Sequence, residues 1–278
     1  MSYQQHIAVV TGAGSGIGRA LTLELARNGA HVAAADINKE SLAETEGACP
    51  AGSVTPFVVD VADRDAVGDF ADEVRRGPGP ASMLFNNAGV DLVAQVLDMS
   101  WKDFDWLMGI NVGGVVNGTK AFLPQLIESG RTVRPSRLVN LSSAFGLIAV
   151  PHQSAYSTSK FAVRGFTEAL RQEMIIERHP VTVHSVHPGV IRTNFGANMR
   201  VAEADTTAEQ TRKMFERAAL TSPQKAAEVI LRGVERNRAR ILVGPDGRVA
   251  AALPRILGAG YVGLLARASR VGEARRKR

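Results

Sequence analysis

The chain has 278 residues, 45% apolar and 22% charged, which suits a globular protein built as one large α/β domain. A single cysteine, Cys49, excludes an intramolecular disulfide, and the opening MSYQQHIAVVTG has neither a basic segment nor an apolar stretch of signal-peptide length, so a cytoplasmic protein is expected. The net charge is +6, but six basic residues and one Glu fall in the final RASRVGEARRKR; the rest is close to neutral, which argues for a solvated tail and against a basic nucleic-acid face.

In chain order, apolar runs alternate with helical patterns. HIAVVTG is short, β-branched and flanked by glycine, a buried strand. IGRALTLELARNG then sets Ile17, Ala20, Leu21 and Leu25 at helical spacing, with Gly29 after Asn28 as a stop. HVAAAD, TPFVVDV, SMLFNNAG, RLVNLSS, VTVHSVHPG and RILVG are six further strand candidates, most of them separated by helical stretches. Near-continuous apolar strands of this kind form a parallel sheet covered on both faces. The expected fold is therefore a doubly wound α/β sheet of about seven parallel strands. Trp101 and Trp106, in SWKDFDWLMGINV, suit helix packing better than ligand stacking. His184 and His187 are three apart on a strand, so they face opposite sides and make a poor metal pair; no metal site is expected.

Two segments break the alternation. From Val190 to Leu220 the chain is polar and weakly helical after a strand end, the place for a lid over the carboxyl edge of the sheet, with Phe195 and Met199 as pocket candidates. In VAAALPRILGAGYVGLLARA, Val249 to Ala268, the unbroken apolar run from Ile256 to Ala266 is too short to span a bilayer; a subunit-contact or lid helix is expected before a membrane-surface one. Residues 1–248 thus form the dinucleotide-binding and catalytic unit with a lid at about 190–220, and 249–278 an apolar segment and basic tail belonging to that unit or to an oligomer contact.

TGAGSGIG, Thr11 to Gly18, fits T-G-x-x-x-G-x-G rather than G-x-G-x-x-G. Gly12, Gly16 and Gly18, with Ser15 and Ile17 between them, allow a tight turn and close backbone approach to a pyrophosphate at a helix N-terminus. Asp36 ends the second strand, where a carboxylate accepts both adenosine ribose hydroxyls and repels a 2′-phosphate, favouring NAD over NADP. Ser15 stands where a basic residue would meet that phosphate, and Lys39 is the nearest cation in sequence.

At the other end, Tyr156 and Lys160 of YSTSK are i and i+4, on one helical face. A free phenol ionises near pH 10, too high for a base at neutral pH, and a fixed ammonium lowers that value. Ser143, at a strand end, offers a hydroxyl to the same substrate oxygen. His152 lies near this group in sequence and reads as a surface or packing residue before a pocket one.

TGAGSGIG, Asp36, NNAG at Asn86–Gly89, NVGG at Asn111–Gly114, Ser143, YSTSK and HPGVIRT occur in order, and the set resembles the short-chain dehydrogenase/reductase family over about Ile7 to Gly244. The resemblance implies a Rossmann fold. It makes Tyr156 the general acid/base, Lys160 the group that lowers the Tyr156 pKa and holds the nicotinamide ribose, and Ser143 the residue that orients the carbonyl or hydroxyl. Asn111 would anchor a water relaying protons from Lys160. Asp60 and Val61 would contact adenine, and Asn87, Ala88 and Gly89 would wall the adenosine ribose. Pro188, Gly189, Val190 and Thr193 would hold the carboxamide, and Ser142 matches the family's neighbouring serine. The longer, basic ESGRTVRPSRLVN departs from the family's usual short turn and is read as a reshaped surface loop. The implied activity is hydride transfer between NAD(H) and a secondary alcohol or ketone, with a lipophilic substrate suggested by AFGLIAVPH, in a homodimer or homotetramer. The alternatives are an NADP-preferring carbonyl reductase and a non-catalytic NAD(H)-binding sensor.

Overall fold

The computed structural model describes residues 2–132, 135–193, 199–202 and 219–276, with side chains described through Arg270. Alternation of apolar side chains builds the central layer. In β1 (Ile7–Thr11), Ala8 and Val10 enter one core while Val9 enters the other; in β2 (His31–Asp36), Val32 and Ala34 oppose Ala33 and Ala35. The same holds in β4 (Met83–Asn86) and β6 (Ser136–Leu141), so both faces of the sheet are buried.

Adding β3 (Val54–Val58), β7 (Val181–Pro188) and β9 (Arg240–Val243) completes a seven-stranded, all-parallel sheet of order β3-β2-β1-β4-β6-β7-β9. This is the expected doubly wound fold. Pro56 sits in β3 at the edge of the sheet, where a missing ladder donor is tolerated. The strand stops at Val58, short of the TPFVVDV run, which leaves Asp60 and Val61 beyond its carboxyl end. A two-stranded parallel ladder joins β5 (Leu92–Val93) to β8 (Arg200–Val201).

On one face lie α1 (Gly16–Arg27) and α7 (Pro223–Glu235), whose Leu21, Leu25, Ile230 and Leu231 share a core. On the other, α3 (Arg64–Arg76), α5 (Gly114–Gly130) and α6 (Ser154–Ile176) contribute Phe70, Phe122, Leu126 and Leu170. Phe70 and Phe122 meet edge to face at 5.2 Å. Side-chain caps fix the starts of α3 and α7: the Asp63 carboxylate accepts from the Asp65 and Ala66 amides, and the Ser222 hydroxyl from the Lys225 amide. Among the described residues no helix is long and apolar enough to cross a membrane. The apolar run near the C-terminus is divided at Gly258 into α8 (Gly244–Leu257) and α9 (Gly260–Arg276).

Two expectations need correction. Trp101, at the start of α4 (Trp101–Met108), is 80% exposed and does not pack into a core, whereas Trp106 packs as expected against the cluster of Leu92 and Leu107, with the Arg200 guanidinium 3.7 Å over its ring. The segment ESGRTVRPSRLVN does not begin as loop, because α5 continues to Gly130. The region expected as a lid lies mostly outside the described residues, Phe195 included, but Met199 is buried and Arg200–Val201 return to pair with β5.

Candidate active site

The order of the sheet reverses between β1 and β4, and the polar motifs gather at the carboxyl ends of these strands. Thr11 ties the two ends together: its hydroxyl oxygen accepts from the Asn87 and Ala88 amides, both at 3.0 Å. Asn87 returns the contact, its amide donating to the Thr11 and Gly12 carbonyls. Only glycine serves in this turn. A Cβ at Gly12, whose φ is +65°, would lie 2.9 Å from the Ala88 Cα, and one at Gly18 would lie 2.0 Å from the Gly12 carbonyl oxygen. Ser15 caps α1 without a side-chain bond, and Gly16 faces Thr193, whose Cγ2 would be 3.1 Å from an added Cβ. The first turn of α1 and the segment after β7 therefore face each other, with Ile17 packed against the core below.

Asp36 ends β2 as expected, and its two oxygens accept from the Gly14 and Asn38 amides at 2.8 and 3.0 Å. That fixes the carboxylate beside the glycine turn. Beyond β3, the Asp60 carboxylate accepts from the Ala62 amide, and the Val61 carbonyl accepts from the Asn117 side chain. Pro188 ends β7. Gly189 leaves no room for a side chain because the Asp246 carboxylate lies against it, and that carboxylate accepts from the Val190 amide.

The chemical residues converge on α6. Tyr156 is hydrogen-bonded to Ser143 and lies edge to face with Phe145 at 6.2 Å. Lys160 Nζ sits 5.5 Å from the Tyr156 ring centroid and donates to the Leu141 carbonyl at 3.2 Å. The Ser142 hydroxyl donates to the Lys160 carbonyl at 2.7 Å, holding helix to strand. Burial dominates the electrostatics: it lowers Lys160 to about 8 and, with the nearby Asp91, drives the Tyr156 phenol above its ordinary value.

Asn111 stands in a π-turn (Gly109–Gly113) between α4 and α5. Its oxygen accepts from the Val90 amide at 2.8 Å; its nitrogen donates to the Val90 carbonyl and to the Ser159 hydroxyl, both at 3.0 Å. This double clamp presses Gly89 toward Lys160, where an added Cβ would be 3.3 Å from Nζ and 3.1 Å from the Asn111 oxygen.

Four residues that sequence reasoning passed over belong to this neighbourhood. His187, given no role in sequence, donates from Nδ1 to the Ser143 carbonyl at 2.9 Å, and its Nε2 accepts from the Ser185 hydroxyl. Burial lowers it to about 4, so the ring is neutral. Ser159, one of three small residues between Tyr156 and Lys160, joins Asn111 to α6. Asp91 and Gln153 are both buried and bonded to each other at 3.3 Å. An acidic residue after NNAGV carries no local sign of burial; pairing of β5 with β8 supplies it. His152 has a positive φ of 64° and its carbonyl accepts from Ala94.

The family model for short chain dehydrogenases matches residues 6–204. An oxidoreductase-named protein of Mycobacterium tuberculosis, SadH, is 45% identical over 95% of both chains. The 3-oxoacyl-[acyl-carrier-protein] reductase FabG of Thermotoga maritima is 33% identical over 83% of this chain and 91% of its own. A short-chain dehydrogenase/reductase from Burkholderia phymatum, solved in complex with NAD, superimposes with a TM-score of 0.84 at 26% identity, covering 92% of this chain and 94% of its own. A short-chain dehydrogenase from Mycobacterium paratuberculosis bound to NAD gives 0.76 at 26% identity, covering 89% and 100%. Sequence motifs, sheet order and these similarities agree: the chain belongs to the short-chain dehydrogenase/reductase family.

Proposed function

We propose that the protein is an NAD(H)-dependent oxidoreductase that transfers hydride between the cofactor and a secondary alcohol or ketone. The observation that carries this reading is the convergence of Ser143, Tyr156 and Lys160 beside the Thr11–Gly18 turn and Asp36. Two similar proteins solved with NAD support the choice of cofactor.

The residues present fit a dinucleotide. Gly12, Gly16 and Gly18 hold the backbone of Ser15 and Ile17 open to a pyrophosphate, and Asp36 offers remaining lone pairs to the adenosine ribose. Asp60, Val61 and the Asn87–Gly89 segment border the adenosine end; Pro188, Gly189, Val190 and Thr193 border the nicotinamide end. When bound, NAD(H) supplies or accepts the hydride. The protein's part is proton transfer and orientation. Ser143 Oγ donates to the substrate oxygen, and Tyr156 Oη delivers a proton to it in reduction or receives its proton in oxidation. Lys160 Nζ holds the nicotinamide ribose hydroxyls, and Asn111, through Val90 and Ser159, keeps Gly89 and α6 in register behind it.

Phe145, edge to face with Tyr156, and the buried Leu147 and Ile148 that follow it give the surroundings an apolar character, which favours a lipophilic substrate. The test is NAD+ reduction across a panel of secondary alcohols, sterols and diols. NADH formation with at least one lipophilic secondary alcohol supports the reading; NADH binding without turnover on any alcohol or ketone contradicts it.

A further inference from the structure

Asp91 is a buried carboxylate, 3% exposed, that the roles above leave unused. It is fixed from every side. Asn111 clamps the preceding Val90 through both its N–H and its C=O. The following Leu92 and Val93 pair with Arg200 and Val201, and Ala94 bridges to Gln153 at the start of α6. Its own oxygens accept from the Leu92 amide at 2.8 Å and from Gln153 Nε2 at 3.3 Å.

Neither of these donors is charged, so neither neutralises the carboxylate. Among the described residues, the ionisable groups that face it are Lys160 and Tyr156 of α6. Arg200 on the adjacent β8 gives only its backbone amide to the Asp91 carbonyl; its guanidinium is bound to Asp103 at 2.6 Å and covers Trp106. Charge at Asp91 therefore acts on the pair that does the chemistry.

We infer that Asp91 is a positioning residue of the hydride-transfer site: a buried counter-ion, held by Gln153 and the β5–β8 ladder, that keeps Lys160 protonated and sets the pH range over which Lys160 and Tyr156 work. This rests on the roles proposed for those two residues. Burying an ammonium favours its neutral form, and a fixed carboxylate nearby opposes that loss. The same negative charge holds the Tyr156 proton on. Asp91 thus delays loss of the Lys160 charge at alkaline pH and keeps the phenol a proton donor; once protonated in acid it does neither. Burial lifts the Asp91 carboxyl to about 6, which places that change inside the working range of the site.

The test uses the ε-carbon resonances of lysine in the whole, unliganded protein, whose sequence holds only seven lysines. Lys160→Arg assigns the Lys160 signal. In the wild type that resonance is expected to show its own alkaline titration and a smaller inflection near pH 6 as Asp91 ionises. Asp91→Asn keeps an oxygen for the Leu92 amide and, with the Gln153 side-chain amide turned over, an N–H for the Gln153 oxygen; it should erase the inflection and lower the Lys160 midpoint by about one unit or more. A wild-type signal with no inflection, or an equal midpoint in a folded Asp91→Asn protein, overturns the inference. The wild-type measurement decides even if the variant does not fold. With a substrate in hand, the alkaline limb of turnover should shift down by a similar amount in Asp91→Asn. No substrate is needed for the resonance test, so failure there strikes Asp91, whereas absence of turnover on the alcohol panel strikes the hydride-transfer reading.

Discussion

Lowering the pH from 7 to 5 should destabilise this protein by an amount that three buried groups determine. His184 and His187 are both fully buried, and burial lowers each to about 4 from an ordinary 6.5. The unfolded chain takes up protons on these rings as pH falls through 6.5, while the folded chain does not until about 4. Stability is therefore lost over that interval, by about 2 kcal/mol per ring at pH 5. Asp91 works the other way. Its folded value is raised to about 6 from 3.8, so the folded state gains protons first and recovers about 1 kcal/mol over the same interval. The net loss is about 2 to 3 kcal/mol, a fall of about 1 M in the urea midpoint for a slope near 3 kcal/mol/M. Equilibrium urea unfolding at fixed protomer concentration measures it. His184→Gln, which keeps a donor for the Arg238 carbonyl, should remove about 2 kcal/mol of the pH-dependent loss. A midpoint that is flat or rises between pH 7 and 5 would refute the reasoning.

Other outcomes follow from the same contacts. Gly18→Ala puts a methyl group 2.0 Å from the Gly12 carbonyl and should weaken NADH binding at least tenfold by fluorescence titration, with the fold retained by circular dichroism. Asp36→Ala removes the carboxylate proposed to bind the ribose and should lower the preference for NAD over NADP about tenfold or more in kcat/KM; an unchanged ratio would dismiss Asp36 as the selector. A homo-oligomer is the expectation that the family resemblance carries; a monomer by light scattering would contradict it.

Much of this architecture was legible because period-2 burial and glycine chemistry are local. Thr11–Gly18, Asp36 and YSTSK each announced an element and its end, and all seven main-sheet strands coincide with apolar runs. What stayed hidden depends on partners distant in sequence. Asp91 reads as a solvated loop acid until β8 returns to β5, and His187 reads as strand filler until β6 brings the Ser143 carbonyl to it. The π-turn at Asn111 has no periodic signature, since one extra residue in a helical turn is set by the clamp on Val90 and by Ser159. Trp101 shows the opposite error: a large aromatic at a helix start suggested packing, yet its ring is exposed apart from an edge contact with Phe104 at 6.1 Å.

The central claim is that Tyr156 exchanges a proton with the substrate oxygen, and Tyr156→Phe addresses it with the loss of one hydroxyl group. Turnover of the best alcohol from the panel should fall by about 100-fold or more while NADH affinity stays within about threefold of the wild type. Turnover close to wild type in a folded Tyr156→Phe protein would contradict the account.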